Sequence, residues 1–277
     1  MNNPTVSIVL ATYNWPEALK LVLLSLAIQT DKDFDVVIAD DGSKASTQEL
    51  VDHYKKIAPF HIQHEWQEDR GFRKSKILNQ AINSAQGQYL IFLDGDCIVQ
   101  PDFVAQHRKL AKVGCLVTGG RILLGPKVTM QLCQDGEWSY PAWKWKTVFY
   151  WLTGQMNKWL PFFVKLPDLK TRIYDQFKWS RIKGCNMAAW RVDVLKINGF
   201  DESLEGWGHE DADLAVRLIR AGTQRKDGRF ATAVMHLWHR ENDRSQLEEN
   251  VRRLQLILSS ERIQAQQGLS QYLPPSA

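Results

Sequence analysis

The first hundred residues alternate between two hydrophobic periods. Val6-Ser7-Ile8-Val9-Leu10-Ala11 is a short run of mostly branched apolar residues and reads as a buried strand. Pro16 then stands where a first helical turn begins, and Glu17 to Ile28 carries apolar residues at helical spacing. Phe34 to Ala39 repeats the strand signal, Thr47 to Ile57 and Arg73 to Ala85 the helical one, and Tyr89-Leu90-Ile91-Phe92-Leu93 is a further buried strand. This alternation with short connections predicts an α/β fold, a mostly parallel central sheet with helices on both faces. Ligands bind such sheets beyond the carboxyl ends of the strands. Thr12-Tyr13-Asn14, Asp40 to Ser43 and Asp94 to Asp96 all follow strands, so they are expected to share one rim.

From Gly119 to about Arg181 the periodicity fades into Trp, Lys, Pro and Phe. Regular signals resume at Gly184-Cys185-Asn186-Met187-Ala188-Ala189 and continue through Gly206-Trp207-Gly208-His209-Glu210-Asp211 into a helix reaching Arg220. Phe230 to Val234 reads as a strand, and Gln246 to Gln266 as a charged helix with leucines and isoleucines at three-to-four spacing. These boundaries suggest residues 1–115 and 116–240 as two halves of a single compact domain. The second half holds a Trp-rich insertion over 138–179, and 241–277 forms a helical tail.

Composition narrows the function classes. The chain has 277 residues, an apolar share of 44% and a charged share of 24%, ordinary for a soluble globular protein. A net charge of +4 gives no argument for a nucleic-acid partner. Cys97, Cys115, Cys133 and Cys185 are widely separated, which disfavours a structural zinc site and fits a reducing compartment. The N-terminus has no basic stretch before a long apolar one, and no run approaches the ~20 apolar residues of a membrane span. A cytoplasmic protein is the expectation.

Asp94-Gly95-Asp96 carries the strongest chemical signal. Two carboxylates at a strand end, separated by a glycine that lets backbone approach closely, suit a hard divalent cation bearing phosphates; an ordinary solvated turn is the competing reading. Glu210, Asp211 and Asp213 open a helix, where acidic residues complement the helix dipole. Asp213 also has Arg217 four residues on, as an ordinary helix pair requires. Gly206-Trp207-Gly208 is a poor helix entry but a good substrate loop, so Glu210 and Asp211 are candidates for binding or deprotonating a hydroxyl. His236 and His239 follow the Phe230 strand; the spacing favours one metal ligand, His236, with His239 pointing elsewhere. Arg70, Arg73, Lys74 and Lys76 surround a helix start, either as a solvated face or as a phosphate clamp.

Together these pieces resemble the inverting glycosyltransferases of family two, with the A-type nucleotide-sugar fold. Val6 to Asn14 resembles that family's opening strand and nucleotide loop, Asp40-Asp41-Gly42-Ser43 its second signature, and Asp94-Gly95-Asp96 its metal-binding Asp-x-Asp. Gly184 to Leu218 resembles the C-terminal module of galactosyltransferases, with Gly-Trp-Gly-x-Glu-Asp, and bacterial chondroitin-type polymerase domains are similar. The resemblance covers roughly residues 5–110 and 180–240, and it makes 1–115 the nucleotide-sugar half and 116–240 the acceptor and catalytic half. It implies that Ala11, Thr12, Tyr13, Asn14, Asp41, Arg70, Lys74, Asp94 and Gly95 bind the nucleotide of a UDP-sugar. It further implies that Asp96 and His236 ligate the metal, Asp211 is the general base with Glu210 orienting a sugar, and Asn186, Trp207 and Gly208 line the sugar pockets. The expected metal is Mn²⁺, or else Mg²⁺, since a histidine nitrogen would suit the softer ion. The resemblance also implies a donor sugar of galactose or N-acetylgalactosamine type and, as acceptor, a glycan or lipid-linked glycan of bacterial surface polysaccharide synthesis. Relatives often carry Arg-Asn where this chain has Leu78-Asn79, so the phosphate-side cation must come from Arg70, Arg73, Lys74 or Lys76.

The 11 tryptophans are unusual, and many fall in the insertion beside Lys144, Lys146, Lys158 and Lys165. That segment reads either as an extra core layer or acceptor lining, or as an inner-leaflet membrane contact through 143–165. Two other functions share some of these features. A sugar-nucleotide nucleotidyltransferase would need a glycine-rich phosphate loop, absent from Thr12 to Pro16, and a non-catalytic glycan-binding module would not need Asp96, Asp211 and His236 together. A dinucleotide oxidoreductase is disfavoured because no Gly-x-Gly-x-x-Gly follows the first strand.

Overall fold

Strand β1 (Val6–Thr12) is buried at every position, as its mostly apolar run demands, and the buried Ser7 hydroxyl is satisfied by donating to Asp35. A computed structural model describes residues 4–240 and 243–272. In it, β1 is followed by α1 (Pro16–Ala27), β2 (Phe34–Asp40), α2 (Ala45–Ile57), β3 (Ile62–Trp66), α3 (Lys74–Ser84), β4 (Tyr89–Asp94), β5 (Cys97–Ile98) and α4 (Phe103–Leu110). The chain continues with β6 (Cys115–Thr118), β7 (Arg121–Leu123), α5 (Pro126–Asp135), α6 (Tyr140–Leu152), β8 (Ile173–Tyr174), β9 (Asn186–Trp190) and α7 (Arg191–Lys196). It ends with α8 (Glu210–Arg220), β10 (Gln224–Asp227), β11 (Val234–His236) and α9 (Leu247–Ser259).

The main sheet has eight strands in the order β3-β2-β1-β4-β9-β6-β10-β8. β3, β2, β1 and β4 are mutually parallel, β9 runs against both β4 and β6, and β10 is parallel to β6 and antiparallel to β8. Only β9 and β8 therefore oppose the common direction, which makes the α/β sheet mostly parallel as expected. Alternate strand residues separate two cores. Ile8, Leu10, Val36, Ile38 and Ile91 pack with Leu19, Val22 and Leu26 of α1 and Val51 of α2. Val9, Val37, Leu90 and Phe92 pack on the other face with Ile77 and Ile82 of α3 and Leu214 and Leu218 of α8. A second sheet, β5-β11-β7, stands beyond the ends of these strands.

Three sequence expectations change. The strand near 230 begins at Val234, because Gly228 to Thr232 is a turn closed by Ala231 and Thr232 N–H bonds to the Gly228 carbonyl, with Phe230 at φ 58°. The tail helix stops at Ser259, well short of Gln266. The Ser259 and Ser260 hydroxyls donate to the Leu256 and Ile257 carbonyls, which competes with further helical turns. The aperiodic stretch from Gly119 to about Arg181 contains two regular helices, α5 and α6. α6 escapes the period test because it is apolar on two faces.

Candidate active site

The chain runs outward from β1 through β2 to β3, then returns to place β4 on the other side of β1. That reversal opens a crevice at the carboxyl ends of the strands. Register puts Thr12 beside Asp40 and Ala11 beside Asp94, so the three loops share one rim, as expected. Gly95 donates its N–H to the Ala11 carbonyl at 2.6 Å, and a Cβ there would lie 2.9 Å from that oxygen. Only glycine permits this approach.

Asp41 is fixed on the rim by two donors, Gln67 Nε2 and the Arg73 N–H, and burial pushes its carboxyl above the ordinary range. Tyr13 is half exposed, and its hydroxyl donates to Asp69 at 2.9 Å. Asn14, in the left-handed region at φ 47°, joins the two rim loops: its N–H donates to Ser43 Oγ, and its Oδ1 accepts from the Lys44 N–H. It braces the rim rather than lining the cleft.

Among the four cations at the start of α3, Lys74 reaches the interior. Arg70 is spent on Glu68 at 2.6 Å in solvent, and the Arg73 guanidinium donates to the Glu68 carbonyl. Lys74 Nζ donates to Asp94 Oδ1 at 2.6 Å and lies 3.9 Å from Glu210. Burial alone would lower this ammonium, but the Asp94 and Glu210 carboxylates outweigh it and hold Lys74 above the ordinary lysine range.

Across the crevice, β11 pairs with β5 so that His236 opposes Cys97, and the Leu237 N–H donates to the Asp96 carbonyl. His236 Nε2 lies 3.6 Å and His239 Nε2 3.4 Å from Asp96 Oδ2. The structure thus brings His239 to the same carboxylate as His236, against the one-ligand expectation. The reason is local: β11 ends at His236, so strand alternation no longer applies three residues on. The His239 Nδ1–H donates to the Arg240 carbonyl at 2.6 Å, which leaves Nε2 facing Asp96. One ligand atom from each of Asp96, His236 and His239 lies within 4.8 Å of the others. One carboxylate and two imidazoles at this separation fit a divalent transition ion better than Mg²⁺.

The Gly206-Trp207-Gly208 loop leads into α8 through positive φ at Gly206, Gly208 and His209. It is pinned by the Gly206 N–H to the Phe72 carbonyl and by Asn250 Nδ2 to the Glu205 carbonyl, while Arg244 stacks over Trp207 at 5.1 Å. Asp211 accepts the Gly184 N–H at 2.8 Å on one oxygen and the Ala212 N–H at 2.7 Å on the other, which fixes its orientation. Burial first, and the neighbouring Asp211 carboxylate second, push the Glu210 carboxyl up to about 7. Folded protein then keeps a proton on Glu210 through the interval from the ordinary value of 4.5 to about 7, while unfolded chain loses it. Stability falls as pH rises through that window and stays lowered above it. Glu210→Gln is therefore expected to stabilise the metal-free protein by roughly 1–3 kcal/mol at pH 8 and not at pH 4. Paired thermal melts at the two pH values check this.

Asn186 requires a correction. It is 1% exposed, its Nδ2 donates to the Gly120 and Thr232 carbonyls, and its Oδ1 faces His107 Nε2 at 3.3 Å. It is the first residue of β9, so it points between the sheets and ties them together rather than touching a sugar. Asp213 likewise holds Arg217, both buried, at 2.5 Å, and this arginine also donates to the Ile197 and Gly199 carbonyls.

The remaining candidates border one cleft of about 1190 Å³: Ala11, Thr12, Tyr13, Asp41, Arg70, Lys74, Asp94, Gly95, Asp96, Trp207, Gly208, Glu210, Asp211 and His236. Trp15, Trp179, Arg121, Arg181 and Arg240 also line it. No motif marks these five: Trp15 enters from the rim loop after β1, and the other four from the second sheet, the insertion and the segments next to them.

Comparison with known proteins agrees with this architecture. Residues 7–131 match the family model of Glycosyl transferase family 2, and residues 170–240 that of the N-terminal domain of galactosyltransferase. Validoxylamine A glucosyltransferase of Streptomyces hygroscopicus subsp. jinggangensis is 27% identical over 243 residues, covering 79% of this chain and 52% of that protein. Chondroitin synthase of Escherichia coli is 26% identical over 230 residues, covering 78% and 32%. The chain thus spans about half the length, or less, of these relatives. A mannosyltransferase from Pyrobaculum calidifontis, solved with GDP-Man and Mn²⁺, has a TM-score of 0.58 at 18% identity over 87% of this chain and 59% of its own. The fold is that of the A-type glycosyltransferases, and both halves of the chain match glycosyltransferase sequences.

Proposed function

We propose that this chain transfers a hexose, of galactose or N-acetylgalactosamine type, from a UDP-sugar to a glycan acceptor with inversion, in the synthesis of a bacterial surface polysaccharide. The observation that carries the reading is one cleft holding two separate acidic centres: Asp96 with His236 and His239, and Asp211 with Glu210. Asp96 and the two histidines would hold a divalent ion, Mn²⁺ in preference to Mg²⁺. When bound, that ion supplies Lewis-acid neutralisation of the charge on the leaving diphosphate.

The chain's own residues do the rest. Asp41 and Tyr13 border the uracil and ribose, and Lys74 holds Asp94 in place beside the sugar. Asp211, its orientation fixed by two backbone N–H groups, takes the proton from the acceptor hydroxyl as that oxygen attacks the anomeric carbon. A single displacement inverts the centre. Trp207 and Trp179 shield the reacting atoms from water, which would otherwise consume the donor.

The test is release of nucleoside diphosphate from a panel of sugar nucleotides, with Mn²⁺ or with chelator, and the anomer of the product read by NMR. Slow turnover of one UDP-sugar, lost with chelator, and a β product from an α donor are expected. A retained anomeric configuration would refute the inverting mechanism. Failure of any UDP-sugar to bind in the presence of Mn²⁺ would favour a non-catalytic glycan-binding module instead.

A further inference from the structure

The helix α6 violates the usual logic of a surface helix. Trp143, Thr147 and Tyr150, at i, i+4 and i+7, face inward, with the Trp143 and Tyr150 rings 5.0 Å apart and both in the first core or packed on it. Trp145, Phe149 and Leu152 repeat the same spacing on the opposite face, where polar residues belong, and they are 78%, 62% and 70% exposed. The following loop extends this face. Phe163 meets Trp145 at 6.2 Å and Trp159 at 5.8 Å, and Trp159 meets Trp151 at 6.2 Å, giving one continuous outward aromatic ridge.

Charge selects the occupant. Residues 138–167 contain four lysines and no aspartate or glutamate; of the flanking acids Glu137 and Asp168, Asp168 is paired with the buried Lys226 at 2.8 Å. Lys165 is turned inward to Asp102 at 3.0 Å, but Lys146 is exposed, Lys158 is exposed, and Lys144 stands over the Phe163 ring at 5.2 Å. Exposed aromatics fringed by lysines without acids match the boundary of an anionic bilayer, where rings settle at headgroup level and ammonium groups meet phosphates. No helix among the described residues is long and apolar enough to cross a membrane, so the contact is one of lying on the surface. The ridge is also tied to the cleft. Gln155 to Asn157 is bound to β7 and the residues after it by the Gly125 N–H to the Gln155 carbonyl and the Leu123 N–H to Asn157 Oδ1, and β7 begins with Arg121 on the cleft wall.

We infer that α6 and the loop after it seat the protein on an anionic lipid surface, beside which the cleft takes an acceptor carried on lipid; the second clause rests on the glycosyl-transfer reading, the first does not. The test is co-sedimentation of the full chain with phosphatidylcholine vesicles and with vesicles of phosphatidylcholine and phosphatidylglycerol. Binding is expected only to the second, falling roughly tenfold or more for Lys144→Glu with Lys146→Glu. It should also be lost in the triple variant Trp145→Ser, Phe149→Ser, Leu152→Ser. Retained Mn²⁺-dependent UDP binding by both variants shows that they are folded. No sedimentation with either vesicle, or undiminished sedimentation of the triple variant, overturns the inference. A dimer in light scattering that the triple variant abolishes, without vesicle binding, overturns it in favour of a second copy. Absence of UDP binding by the wild type would refute the functional reading while leaving the vesicle result standing.

Discussion

Asp96→Ala is expected to lower turnover of the UDP-sugar by about 10³-fold, with thermal stability changed little. Among the described residues Asp96 is the carboxylate that both imidazoles face, at 3.6 and 3.4 Å, so its removal takes the shared acidic ligand away from the two histidines. Those two nitrogens alone are a weak cation site, and the charge developing on the diphosphate then goes unneutralised. His236→Ala and His239→Ala divide the question further. Each should weaken Mn²⁺ binding by at least ~10-fold, measured by calorimetry on the nucleotide complex. If His239→Ala binds Mn²⁺ as wild type does, the site has a single histidine ligand, and the orientation set by the Arg240 carbonyl serves another purpose. If Asp96→Ala keeps full, metal-dependent turnover, the metal lies elsewhere and the assignment fails.

How much of this was legible in the sequence depends on the distance over which each feature is encoded. The α/β alternation was readable because β1, β2 and β4 are mostly apolar over successive positions and their helices carry a clean period. The rim followed from topology alone, since loops after parallel strands must emerge together. Asn186 reads as a sugar-pocket residue only by the resemblance of Gly184 to Leu218 to the galactosyltransferase module, and nothing in its immediate sequence argues otherwise. Its real role, bridging the Gly120 and Thr232 carbonyls, depends on partners 66 and 46 positions away. Strand alternation turns His239 away from His236 only while the strand lasts, and β11 ends at His236. Arg121 and Arg181 left no signal, because their place in the cleft comes from the packing of the small sheet and the insertion. Glu210 was seen as acidic and near the chemistry. Its displaced titration could not be read, since it comes from burial beside Asp211.

Asp211→Asn is expected to lower kcat by roughly 10²–10⁴-fold while leaving Mn²⁺-dependent UDP binding intact. The prediction turns on which of two adjacent carboxyls accepts the proton. Both border the cleft, but their surroundings differ. Glu210 sits 3.9 Å from the Lys74 ammonium, in a site buried enough to push its carboxyl up to about 7, so it is a poor proton acceptor below neutrality. Asp211 is aimed by the Gly184 and Ala212 N–H groups, and each of its oxygens retains a second lone pair for a hydroxyl. An asparagine there keeps the shape and one acceptor, but turns its NH₂ toward a backbone donor and has no basicity. It should therefore lose some stability, of the order of 1–3 kcal/mol, together with nearly all turnover. Glu210→Gln should do the opposite to stability above neutral pH and act mainly on the sugar: a raised KM for donor or acceptor with a smaller fall in kcat. The decisive comparison is the pH profile of kcat/KM in the two variants. If Glu210→Gln abolishes kcat while Asp211→Asn leaves it within tenfold of wild type, the base is Glu210 and the roles are exchanged.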